Sequence, residues 1–119
     1  MDPKRIDLVK LLEKFAGNTE ILGKIAKLFE REVSPALQAV TNSVHKKNIR
    51  RIKDSCHGLR GMLLNMEMHA AASIVVQMEA LVDKKETDTI DSLLSRLNDE
   101  IAEAARELNQ FLSDTFEKN

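Results

Sequence analysis

Apolar residues recur along most of this chain at intervals of three and four, the period of a helix that buries one face. The clearest run is Ile49, Ile52, Cys56, Leu59, Leu63 and Met66, spaced 3, 4, 3, 4, 3, and it predicts a helix from about Asn48 to Asn65. Before it, Ile21, Leu22, Ile25, Leu28, Phe29 and Val33 line one side of a helix capped by Thr19. Ser34-Pro35 interrupts that pattern, since an internal proline removes one backbone bond and crowds the preceding turn. The pattern resumes at Leu37, Val40 and Val44, which favours one kinked helix reaching about His45. A short first helix is expected from about Pro3 to Phe15, with Asp2 as cap and Pro3 in its first turn. Its apolar side is Ile6, Val9 and Leu12, joined less regularly by Leu8, Leu11 and Phe15, and Gly17-Asn18 ends it. A fourth helix should run from about Met68 to Val82, with Ala71, Ala72, Val75, Met78 and Val82 inward. After the charged loop Asp83-Lys84-Lys85-Glu86, Thr87 or Thr89 opens a long last helix. There Ile90, Leu94, Leu97, Ile101, Ala104, Leu108 and Phe111 repeat at the same spacing.

Four amphipathic helices joined by short loops imply an all-α fold, an antiparallel up-down four-helix bundle, with the short additional N-terminal helix covering one end. No repeat or linker divides residues 1–119, so they read as a single domain. Composition agrees: Trp and Tyr are absent and only four Phe occur, so the core must be aliphatic, and four Gly and two Pro leave few turns for a strand-rich fold. A formal charge of −1 gives no global field toward nucleic acid. The local basic run His45-Lys46-Lys47-Asn48-Ile49-Arg50-Arg51 reads mainly as a solvated helix start. Cys56 is the sole cysteine, which rules out an intramolecular disulfide, and its seam position suggests an inert buried thiol. Met1-Asp2-Pro3-Lys4-Arg5 is followed by no apolar signal core, and no run approaches the roughly 20 residues of a membrane span. A cytoplasmic location and no membrane partner are therefore the default expectations. A monomer is the simplest state, and nothing in the pattern opposes a homodimer.

One polar residue stands out against this pattern. With about 100° per residue, His57 points roughly 130° from the centre of the third helix's seam, so it faces outward. Lys53 lies one turn before it, and Arg60 and Gly61 one turn after. A lone surface histidine usually carries no function, but its neighbours change the weighing. Glycine in mid-helix costs roughly 1 kcal/mol relative to alanine and needs a packing or access reason. Arg60 offers a fixed cation whose donors match phosphate oxygens, and Lys53 adds positive charge from the other side. If the third and fourth helices form a hairpin turning near Glu67-Met68, residues whose numbers sum to about 136 lie level, which sets Glu79 beside His57. A carboxylate there would fix the imidazole tautomer and leave the other nitrogen as nucleophile.

At these residues the sequence resembles the histidine-containing phosphotransfer (HPt) domain family. Cys56-His57-Gly58-Leu59-Arg60-Gly61 is similar to its signature, His-x-Leu-(Lys or Arg)-Gly. Phe15-Ala16-Gly17-Asn18 followed by Glu20-Ile21-Leu22 looks like the family's opening, Pro35 like its interruption before the signature helix, and Met78-Glu79 like its Leu-Glu pair. The likeness extends from about Ile6 to Leu112. It implies that His57 is phosphorylated, that Arg60 supports the phosphoryl group and that Gly61 gives clearance for docking. The implied function is that of a histidine phosphotransfer protein in a two-component phosphorelay. It would accept a phosphoryl group reversibly from a receiver-domain aspartate and pass it on. The implied partners are response-regulator receiver domains and, as a further candidate, a hybrid histidine kinase. No intrinsic cofactor is implied; Mg²⁺ is expected in the partner receiver domain. Around the histidine, Leu64 and then Ile74 or Met62 are candidates for a contact rim. Two departures stand out: Met62-Leu63 replace the family's small residues, and Glu67-Met68 replace Gly-Ala. Glycine at the former of these takes a left-handed cap that Glu67 reaches only with strain, leaving Asn65 as the alternative.

Three other readings are compatible with parts of the pattern. An HPt-like bundle could bind a receiver without accepting phosphate, although the histidine and both signature neighbours are intact. A metal-binding bundle fits poorly, because His45, His57 and His69 are each turned about 120° from the last and share no helix face. Long amphipathic helices could also serve a dimerising scaffold. No Gly-rich nucleotide loop is present, so kinase or ATPase activity of the chain's own is not expected.

Overall fold

The computed structural model describes residues 5–117, with side chains through Thr115. Among the described residues five helices follow one another: α1 (Leu8–Lys14), α2 (Thr19–His45), α3 (Ile49–Asn65), α4 (His69–Asp83) and α5 (Ile90–Glu117). α2 packs on α3 and α5, and α4 packs on the same two, which closes an antiparallel four-helix bundle. Its core is aliphatic, with Leu22, Phe29, Val40, Ile52, Leu59, Leu63, Val75, Met78, Leu97 and Leu108 among the buried side chains. On α3 the expected seam is buried from Ile52 to Met66, while Ile49 at its start stays exposed. On α5 the seam ends on Leu112, with Phe111 only partly covered. α2 runs through Pro35 without a break, as the resumed periodicity requires.

α1 departs from expectation. It begins at Leu8, because the Asp7 carboxylate caps the Lys10 N–H; the expected cap Asp2 and Pro3 lie outside the described residues. In this helix Leu11 is buried, Leu8, Leu12 and Phe15 are partly covered, and Val9 is 71% exposed, so the covered side runs through Leu11 instead of Val9. α2 is capped by Asn18 rather than Thr19, its side chain accepting the Ile21 N–H. Asn48 does the same for α3 through Arg51.

The ends of α1 to α4 share one device. In each, a residue in the left-handed region lets the chain fold back on the last turn, with one N–H reaching the carbonyl five residues earlier. The residues are Ala16, Lys47, Glu67 and Lys85, none of them glycine. At α3 the bonds are Glu67 N–H to Leu64 O and Met68 N–H to Leu63 O. Glu67, not Asn65, therefore makes this turn, at φ +56°. Its surroundings hold it there. The Glu67 side chain is 4% exposed and meets Lys14 at 2.5 Å, His69 at 2.9 Å and Lys10 at 3.7 Å. Lys14 also donates to the Asn65 carbonyl, and the Asp7 N–H donates to the Glu67 carbonyl. The departure from glycine thus clamps α1 onto the α3–α4 turn.

The Lys14 hydrogen bond, helped by His69 and opposed by burial, holds the Glu67 carboxyl below its ordinary range. A depressed carboxyl contributes stability that is complete above its unfolded value, about 4.3, and that is lost as pH falls through the folded value. Glu67→Gln should therefore cost about 1–2 kcal/mol near neutrality, and this difference should vanish in acid. Urea unfolding of both proteins between about pH 7 and 3 reads this; parallel curves throughout would refute the clamp.

Candidate functional site

α3 presents its outer face to solvent because every large apolar residue it needs for the core lies on the opposite side. His57 is exposed in mid-helix, directly after the fully buried Cys56. Burial, with a smaller push from Glu79, raises the Cys56 thiol to about 11, so this neighbour stays a neutral core residue. The imidazole Nδ1 is 2.9 Å from Nη2 of Arg60, one turn along. The same guanidinium places Nη1 3.4 Å from Oε1 of Glu79 on α4. Glu79 is thus brought to the site, but its ion pair is with Arg60, and it makes no hydrogen bond to the ring. The level pairing of α3 and α4 is visible one turn away, where the Lys53 ammonium lies 2.6 Å from Asp83, two numbers that sum to 136. Lys53 therefore shares a helix side with His57 while its charge is directed to Asp83. That hydrogen bond raises the lysine above its ordinary value.

Gly61 is exposed, and a Cβ added to it would meet nothing within 4 Å. The same is true of Gly58. Packing within the chain therefore does not explain why either position carries a residue that costs helix stability. The surface beside the imidazole is open across both.

The apolar surroundings differ in part from expectation. Leu64 is 43% exposed, two turns past His57 on the same side, and Met62 is partly covered. Ile74 is 3% exposed and belongs to the core, because it sits on the α4 side turned away from α3. Val76 takes its place: it is 48% exposed, one turn before Glu79 on the side that faces α3. The sequence held that signal, since Val76 is an apolar residue lying off the α4 seam. A cavity of about 520 Å³ opens elsewhere, lined by Arg5 to Val9, Glu67, His69 and Ala70, and His57 takes no part in it. Among the described residues no three His, Cys, Asp or Glu side chains come together as a metal site, and no helix is long and apolar enough to cross a membrane.

An exposed imidazole with one nitrogen engaged by a guanidinium can act as a nucleophile or carry a group at the other nitrogen. The sequence model of the Hpt domain family matches residues 24–110, a span that contains all of α3 and α4 and the site they build. α1 lies outside that span. No curated protein and no solved structure gives a significant match.

Proposed function

Since the chain belongs to the Hpt domain family, whose members act as histidine phosphotransfer modules of phosphorelays, we propose that His57 takes a phosphoryl group from a receiver-domain aspartate and passes it to another. The observation that carries this is the display of His57. It stands exposed on the outer face of α3, with Arg60 at one nitrogen and two glycines leaving the adjoining surface bare.

In the transfer step, an imidazole nitrogen lone pair attacks phosphorus as the bond to the aspartyl oxygen breaks. The electron pair of that bond leaves with the carboxylate. The reverse step returns the group to a carboxylate, so the carrier serves both directions. Charge develops on the phosphoryl oxygens, and Arg60 is within reach to turn its donors toward them. Gly58 and Gly61 let the receiver's backbone come close, while Leu64 and Val76 offer apolar contact on either side. Mg²⁺ would be held by the receiver, whose aspartate supplies the group. Lys53 takes no direct part: its ammonium is paired with Asp83 at 2.6 Å, which offsets most of the positive potential it would add at the edge of the site.

Incubation with a phosphorylated receiver domain tests the proposal. Acid-labile label should appear on the wild-type chain and be absent from His57→Gln, while both still bind the receiver. Stable binding of a wild-type chain that takes up no label would instead establish a non-catalytic docking module.

A further inference from the structure

The contact between Arg60 and His57 has a chemical direction. A guanidinium has five N–H donors and no acceptor. The nitrogen 2.9 Å from Arg60 Nη2 must therefore offer a lone pair, and that nitrogen is Nδ1. A neutral ring with its lone pair on Nδ1 carries its proton on Nε2. Resting on the carrier reading above, we infer that Arg60 sets the tautomer of resting His57, with Glu79 acting only through Arg60, so that the nucleophile is masked until the guanidinium moves.

The masking follows from the two nitrogens in turn. Nδ1 has the lone pair, but Arg60 covers it. Nε2 is the uncovered nitrogen, but it holds the proton and has no pair to donate. Attack through Nε2 requires that proton to leave to water and another to arrive on Nδ1, which cannot happen while Arg60 donates there. The arrival of a phosphoryl group supplies the reason for Arg60 to leave, since anionic oxygens are stronger acceptors than a neutral imidazole. Once Arg60 turns to them, Nδ1 takes a proton from water and Nε2 gives its own to water, and the freed Nε2 lone pair forms the N–P bond as the aspartyl O–P bond breaks and its electron pair leaves with the carboxylate. One residue thereby couples the presence of substrate to the readiness of the nucleophile. The sequence alone suggested the opposite arrangement, a carboxylate accepting the ring proton directly. Glu79 is diverted from that role because its Oε1 lies 3.4 Å from Arg60 Nη1. It is a positioning residue.

Side-chain ¹⁵N NMR of the full chain tests this without any phosphotransfer. The spectra are taken near pH 8.5, about two units above an ordinary imidazole. His45 is exposed and serves as the reference for a ring whose tautomers are in free exchange. The Nδ1 of His57 should lie further toward the unprotonated, pyridine-type shift than the Nδ1 of His45, with Nε2 correspondingly pyrrole-type. Arg60→Met should move both His57 resonances to the His45 values, and Glu79→Gln should move them part of the way. With Arg60→Met already present, Glu79→Gln should add nothing. Three results would overturn the inference: wild-type His57 matching His45, a proton-bearing Nδ1, or an effect of Glu79→Gln that survives loss of Arg60. A chain that accepts phosphate yet gives one of these spectra keeps the carrier function and loses the tautomer control.

Discussion

Gly61→Glu should give a bundle that is more stable than the wild type and a poorer phosphoryl carrier by roughly 100-fold. The gain in stability comes from the helix itself. Gly61 is an interior residue of α3 with open space where a Cβ would stand. Replacing glycine by a good helix former at such a site restricts the unfolded chain and adds roughly 0.5–1 kcal/mol. The loss of transfer comes from what the new side chain does to an approaching partner. It fills the clearance one turn from His57 and sets a carboxylate where an anionic phosphoryl group must pass. Like charges brought together at an interface cost several kcal/mol, of which about 2.7 would account for a 100-fold effect. Gly61→Ala separates the two contributions, because it has the same helix benefit with a smaller obstruction and no charge. Urea unfolding and the rate of label transfer read the two effects independently. Transfer by Gly61→Glu at the wild-type rate would remove the access argument for this glycine.

Arg60→Ala is expected to slow transfer by roughly 100-fold, with little change in fold. Removing one donor that meets developing charge typically costs that much or more in rate. The Arg60–Glu79 pair is partly exposed, with side chains 30% and 19% accessible. Pairs of this kind contribute about 1 kcal/mol or less to stability. Arg60→Lys should recover part of the rate. It restores the cation but not the planar fork that meets His57 and Glu79 through two different nitrogens. Rates measured by label transfer at saturating receiver, beside denaturation of the same samples, check both halves. A variant that transfers normally would mean that the receiver alone supplies the stabilising charge.

Much of this site could be read from spacing. The six apolar residues from Ile49 to Met66 fix which way α3 faces, and with it the outward direction of His57. Hairpin arithmetic placed α4 alongside in the right register, as the Lys53–Asp83 pair shows. Where the reading diverged, the cause was the reach of long side chains. Arithmetic on helix positions sets Glu79 level with His57, but Arg60 can extend between them and take the carboxylate first. Helical spacing likewise cannot report that a buried carboxylate at Glu67 would be held by two lysines from α1 and so tolerate a left-handed backbone. Asp7 was missed as the cap of α1 because Asp2-Pro3 carries the same signal earlier in the chain. Ile74 and Val76 show the limit of a seam that is wider than one stripe: α4 packs on both α3 and α5, so an apolar residue beside the main seam is covered on one side and bare on the other.

The chain has three histidines, and all three are exposed. Locating the phosphoryl group after incubation with a phosphorylated receiver is therefore the most direct measurement. Mass spectrometry of peptides prepared without acid should find it on His57 alone, with His45 and His69 unmodified. A group carried on either of those residues, or on a serine, would contradict the account however well the bundle binds its partner.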